Sequence, residues 1–126
     1  MTLTVSSPQY WYQPGRTPRF TVRAVSTESQ PCHFDMGPRF VSVVIDTPGG
    51  RPIWSSADCV SGAGSHPVVL ASGTHAALHV SWDRRTGCGD TGSLVRPGEY
   101  RVSAAAGADH SKSVNIVLGA VGVSGP

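Results

Sequence analysis

The chain has 126 residues, enough for one domain and one core. Only 14% of residues are charged and the formal net charge is +2, which excludes a polyelectrolyte tail and argues against a nucleic-acid footprint, because arginines 16, 19, 23, 39, 51, 84, 85, 96 and 101 are strung along the chain without a linear cluster. No apolar run is long enough to span a bilayer, and three cysteines without a Cys-x-x-Cys pair exclude a four-cysteine zinc site and a thioredoxin-like redox motif.

Apolar residues recur mostly at period two, the strand period. Thr2–Ser6 is the first predicted strand. The following Tyr10-Trp11-Tyr12 places three aromatics in a row. Strand side chains alternate, so the three cannot all face inward, and this segment is the candidate partner contact. Arg19–Ser26 alternates with Phe20, Val22 and Ala24 on one face, and Pro31–Met36 turns Cys32, Phe34 and Met36 inward. Phe40–Asp46 is nearly continuous in apolar residues and predicts a central strand covered on both faces. A Pro-Gly-Gly turn follows, and Arg51–Ser55 returns to present Trp54.

Farther on, Val68–Leu70 and Thr74–Trp82 flank Ala71-Ser72-Gly73 as an expected hairpin, with Ala76, Leu78, Val80 and Trp82 on the inner face. Gly98–Ala105 carries Tyr100, Val102 and Ala104, and Ser113–Leu118 closes the domain. Seven to eight short strands joined by Gly and Pro turns predict an all-β, immunoglobulin-like Greek-key sandwich over residues 1–119, with a flexible tail at 120–126. Pro97-Gly98-Glu99-Tyr100 fits the tyrosine corner of such sandwiches, the alternative being an ordinary core tyrosine.

Two segments end strands on a tryptophan and reach a cysteine within a short loop: Trp54-Ser55-Ser56-Ala57-Asp58-Cys59 and Trp82-Asp83-Arg84-Arg85-Thr86-Gly87-Cys88. Trp54, Trp82 and Tyr100 are the expected aromatic core. If the expected hairpin forms, both loops lie at one end and a Cys59–Cys88 disulfide closes a loop of about thirty residues. Cys32–Cys59 is the competing pair under a stricter immunoglobulin topology, since spacing does not fix connectivity. Asp58 and Asp83 read as local Asx turns or as shapers of the loop surface.

Candidate chemistry is sparse. His75 and His79 share the outer face of one strand but are roughly 13 Å apart at the strand rise, too far to share an ion. There is no Gly-x-Ser-x-Gly elbow and no phosphate-binding glycine loop, and Gly62–His66 reads as a flexible loop. No catalytic residue, metal or cofactor is expected.

The series Tyr12-Gln13-Pro14-Gly15, Pro18–Val22, Cys32, Gly37-Pro38, Ile53–Cys59, Trp82-Asp83-Arg84, Gly87-Cys88 and Pro97–Tyr100 resembles a group of actinobacterial envelope proteins of the Trp-Ser-Ser-Ala-Asp-Cys type. In that group such a domain follows a transmembrane helix and a flexible linker. The chain is also distantly similar to the Bacillus-type intracellular proteinase inhibitor domain, from which it departs by carrying cysteines. The resemblance implies a non-catalytic, extracytoplasmic interaction module whose partner is a protein or glycan at the envelope, not nucleic acid. Any membrane association would run through an anchor or signal outside this chain. A proteinase inhibitor, using residues 56–66 or 87–97 as its reactive loop, and a structural stalk are the alternatives.

Overall fold

The structure is a computed structural model that describes residues 1–60, 62, 64–88 and 91–120. It is an all-β protein, and its described residues contain no α-helix. The strands are β1 (Thr2–Ser6), β2 (Trp11–Tyr12), β3 (Arg19–Val25), β4 (Cys32–Asp35), β5 (Ser42–Asp46), β6 (Pro52–Ser55), β7 (Pro67–Leu70), β8 (His75–Ser81), β9 (Gly98–Ala106), β10 (Asp109–His110) and β11 (Val114–Leu118). One 3-10 turn, Ser56–Cys59, follows β6. One sheet runs β1-β3-β8; a larger one runs β2-β11-β9-β5-β6 with β10 against β9; β4 and β7 form a third, two-stranded ladder.

The alternation that defines β3 explains the core. Phe20, Val22 and Ala24 are wholly buried while Arg19 and Arg23 face water. From the larger sheet, Val43, Ile45, Val102, Ala104, Ile116 and Leu118 enter the same apolar cluster, so the two large sheets share one core. Its largest fully buried side chain is Trp82.

The structure departs from the sequence expectations at four places. β7 and β8 do not form a hairpin. Ala71-Ser72-Gly73 does turn, with Thr74 N–H donating to the Ala71 carbonyl at 3.0 Å, but β7 then pairs with β4 and β8 with β3. The turn therefore carries the chain between two sheets. Phe40 lies outside β5 and is 50% exposed, because the chain first makes a turn in which Phe40 and Val41 both donate to the Gly37 carbonyl. β5 is also less covered than expected, with Val44 half-buried on its outer side. On β8 the inward Ala76, Leu78 and Val80 are only half-buried, since β8 is an edge strand. Of the expected tail, residues 121–126 lie outside the described residues.

Candidate functional site

The cores of the two tryptophan segments meet. Trp54 lies in β6 and Trp82 directly follows β8, strands of different sheets, yet their ring centroids are 6.0 Å apart at 30°. Tyr100 of β9 meets Trp82 edge-on at 5.9 Å and 74°. The Trp82 indole donates to the Arg85 carbonyl at 2.9 Å, and the Tyr100 hydroxyl donates to the Arg96 carbonyl. That last bond, four residues back along the chain, has the form of a tyrosine corner. Burial pushes the Tyr100 phenol above its ordinary value, against the opposing pull of Arg84 and Arg96. Just beyond the tryptophans, Cys59 and Cys88 are joined by a disulfide, and Cys32 is free and half-buried.

The Tyr10–Tyr12 segment is divided by its pairing. β2 runs parallel to β11, with Val117 N–H donating to Tyr10 and Gly119 N–H to Tyr12, both at 2.8 Å. Tyr12 points inward, is 3% exposed and shares a hydrogen bond with the Ser7 hydroxyl. It is a core residue, so its place among the candidate contacts is corrected. Tyr10 is 55% exposed. Trp11 is half-buried and lies across Gly119, where an added Cβ would fall 2.2 Å from the indole Cζ2. A bare glycine is what leaves room for the ring at this position.

Two grooves open beside this segment and share Arg16 and Thr17. One, of about 500 Å³, is lined by Trp11, Gln13, Arg16 and Arg19 among others. The other, of about 340 Å³, lies between Pro14, Arg84 and Leu94, and Leu94 is 64% exposed. Their shape depends on Arg84. Its Nη1 donates to the Gln13 carbonyl at 2.8 Å and to the Arg16 carbonyl at 3.4 Å, fastening the turn in which Arg16 N–H donates to Gln13. Gly15 at φ +82° takes the left-handed position that turn needs. Arg84 is itself left-handed at φ +63°, the one described non-glycine residue so placed. Partial burial lowers its guanidinium pKa, with Tyr100 pulling the other way.

The other predicted sites resolve into structural roles. Asp83 accepts from Arg85 N–H at 3.1 Å, an Asx turn. Asp58 lies in the 3-10 turn. Ser65 and His66 are not a loose loop: Asp35 accepts from the Ser65 hydroxyl at 2.6 Å and from the His66 and Gly37 backbone N–H groups at 2.8 Å each. Desolvation raises the Asp35 carboxyl pKa, but the three bonds and nearby His66 outweigh it and hold the pKa below the usual carboxylate value. Although serine, histidine and aspartate meet here, the order is wrong for a triad, because the carboxylate takes the serine hydroxyl directly and the histidine contributes its backbone. His79 Nδ1 lies 3.0 Å from the Thr21 hydroxyl on an exposed face, and none of β1, β3 or β8 supplies a carboxylate to orient that ring. Among the described residues no three of His, Cys, Asp and Glu gather as metal ligands.

Sequence reading placed Leu94 only within the candidate loop 87–97 and missed the role of Arg84. The Pro14-Gly15 pair signals the turn, but nothing in the sequence announces that an arginine 68 residues away from Arg16 fastens it.

No family model matches the chain, and no curated protein matches it. Solved structures share its fold. A β-glucosidase from Listeria innocua in complex with glucose aligns over 94% of this chain and 16% of its own, with TM-score 0.57 and 11% identity. An alkylpurine DNA glycosylase from Pseudomonas fluorescens, bound to DNA containing an abasic-site analogue, aligns over 94% and 30%, with TM-score 0.59 and 14% identity. A β-glucosidase from Erythrobacter marinus aligns over 93% and 15%, with TM-score 0.57 and 16% identity. At these identities the likeness is one of fold alone. The chain spans less than a third of the length of these proteins.

Proposed function

We propose that this domain is a non-catalytic interaction module, working outside the cytoplasm as the ectodomain of a membrane-anchored envelope protein. The observation that carries the reading is a pair of adjoining open grooves, one lined by the half-buried Trp11 and the other by the exposed Leu94, which share the Arg16 turn that Arg84 fastens, with the exposed Tyr10 next to Trp11 in the chain. Exposed aromatics on a rigid edge are the usual anchors of protein and glycan contacts. The Cys59–Cys88 disulfide supports an oxidising compartment.

The finer fold assignment is an immunoglobulin-like Greek key. In its favour, the N-terminal segment is split between sheets, β1 antiparallel to β3 and β2 parallel to β11. The Tyr100 corner opens a late strand in the same way.

Capture from envelope extract tests the module. Wild-type domain and a Tyr10→Ala/Trp11→Ala variant are compared, with Tyr12 left intact because it is part of the core. Retention of a defined partner by the wild type and its loss in the variant supports the surface; equal retention removes it as the contact. One observation favours proteinase inhibition as the second reading. The loop from Arg85 to Leu94 is bridged at its base, tied by Thr86 N–H to the Ser93 carbonyl at 3.0 Å and anchored through Cys88. These ties hold the two described arms, residues 85–88 and 91–94, together, with Thr91 to Leu94 exposed; an exposed segment fastened in this way suits a protease cleft, and potent inhibition abolished by substitution of Leu94 would put this reading first.

A further inference from the structure

The two large sheets carry different charge on their outer faces. On the larger sheet acid and base are mixed, with Asp46 of β5 opposite Arg101 of β9. On β1-β3-β8 the outward positions are Thr2, Thr4 and Ser6; Arg19, Thr21, Arg23 and Val25; and His75, Ala77, His79 and Ser81. None of these three strands contains Asp or Glu. Pairing sets Thr4 beside Arg23, and Ser6, Thr21 and His79 in one row. Arg19 and Arg23 are exposed, and their guanidinium groups have no partner among the described residues. A groove of about 490 Å³ runs along this face between Ser6, Arg19, Thr21, Arg23 and His79. Arg19 also lines the groove at Trp11, where Arg16 adds a third cation.

We propose that the outer face of β1-β3-β8 is a binding surface for an anionic polysaccharide. Unpaired guanidiniums on a strand are planar forks suited to carboxylate or sulfate groups. Arg19 and Arg23 stand about 13 Å apart at the strand rise, a span that matches an extended polymer better than a small anion. Between them Thr4, Ser6 and Thr21 offer hydroxyls that both donate and accept toward sugar hydroxyls. Nucleic acid is the weaker fit, since the outward positions of these strands carry no Trp, Tyr or Phe on which bases could stack. The proposed face adjoins the groove at Trp11 and shares Arg19 with it, but it does not depend on Tyr10 or Trp11 and survives if they have no partner.

The test is titration of the intact domain with polygalacturonate, with heparin and with a single-stranded DNA oligonucleotide, at low and at physiological salt. The expected result is binding of a polysaccharide that weakens with salt, and about tenfold weaker binding by Arg19→Gln/Arg23→Gln. An Arg51→Gln/Arg101→Gln variant, with the same change in net charge, keeps wild-type affinity. Polygalacturonate binding identifies a carboxylate ligand and heparin binding alone a sulfate-type one. Backbone amide shifts in the wild type at residues 19–23 and 75–81 locate the site without relying on any variant. No binding to either polysaccharide, an equal loss in both double variants, shifts elsewhere on the domain, or tighter binding to the oligonucleotide overturns the proposal.

Discussion

The indole of Trp54 packs against that of Trp82 across the interior, one ring from each large sheet, with centroids 6.0 Å apart. Their hydrogen bonding is unequal. Trp82 Nε1 donates to the Arg85 carbonyl, whereas Trp54 Nε1 is buried without a partner among the described residues. The pair therefore joins the sheets by packing, and only Trp82 also fixes the loop that leads to Cys88.

Replacement of either tryptophan by alanine should cost about 3–5 kcal/mol, the range for deleting a large core aromatic. Phenylalanine separates the two roles. Trp82→Phe removes the bond to the Arg85 carbonyl, whereas Trp54→Phe removes an N–H that has no partner among the described residues. Trp82→Phe should thus be the more destabilising by about 1 kcal/mol in chemical denaturation. Equal costs would mean that the Arg85 bond contributes nothing.

The disulfide spans 29 positions of sequence. Constraint of the unfolded chain by a loop of this length stabilises by about 3–4 kcal/mol. Reduction, or a Cys59→Ser/Cys88→Ser variant, should lower Tm by about 10 °C or more. Non-reducing peptide mapping should recover Cys59 joined to Cys88, with Cys32 the single alkylatable thiol after denaturation. A Cys32–Cys59 peptide would contradict the pairing.

Much of this fold was legible because buried strands leave a period-two trace. β3, with Phe20, Val22 and Ala24 inward, reads directly from sequence, as do β9 and β11. β7–β8 did not, because a Ser-Gly turn looks the same whether the chain returns to its neighbour or crosses to another sheet; only long-range pairing with β4 and β3 decides. The Cys59–Cys88 pairing was anticipated from a hairpin that does not exist. The loops converge instead because Trp54 and Trp82 stack between sheets. At the candidate site, alternation showed that the three aromatics must divide, but which one turns inward depends on the parallel register of two-residue β2 with β11. The cationic face was hidden for a related reason. Arg19 and Arg23 are separated in sequence by buried residues, and only the β3–β8 register sets His79 opposite Thr21 between them.

Asp35 gives a pH dependence with a defined sign. Its folded-state pKa lies below the usual value, so its contribution to stability is present above the unfolded pKa and disappears as pH falls through the folded one. Wild-type Tm should therefore decline on acidification below roughly pH 4. Asp35→Asn should have a lower Tm at neutral pH, because it loses the charge-assisted bonds from Ser65, His66 and Gly37, and should show a shallower decline in that acid window. Parallel acid profiles for the two proteins would mean that the carboxylate does not fasten the 64–66 segment to β4.

Arg84 holds the candidate contact surface at the expense of its own backbone. A left-handed φ costs a non-glycine residue about 1 kcal/mol or more, while the guanidinium bonds to Gln13 and Arg16 fasten the 13–16 turn beside Trp11. Arg84→Ala loses the bonds and keeps the strain; Arg84→Gly loses the bonds and removes the strain. The glycine variant should therefore be the more stable of the two by about 1 kcal/mol, a gap that backbone entropy in the unfolded glycine chain narrows. Both variants should loosen the 13–16 turn, seen as faster amide exchange at Arg16, and both should weaken any partner that Tyr10 and Trp11 engage. If alanine proves at least as stable as glycine, the left-handed backbone at residue 84 is not strained. If amide exchange at Arg16 is unchanged in both, the guanidinium does not hold the turn.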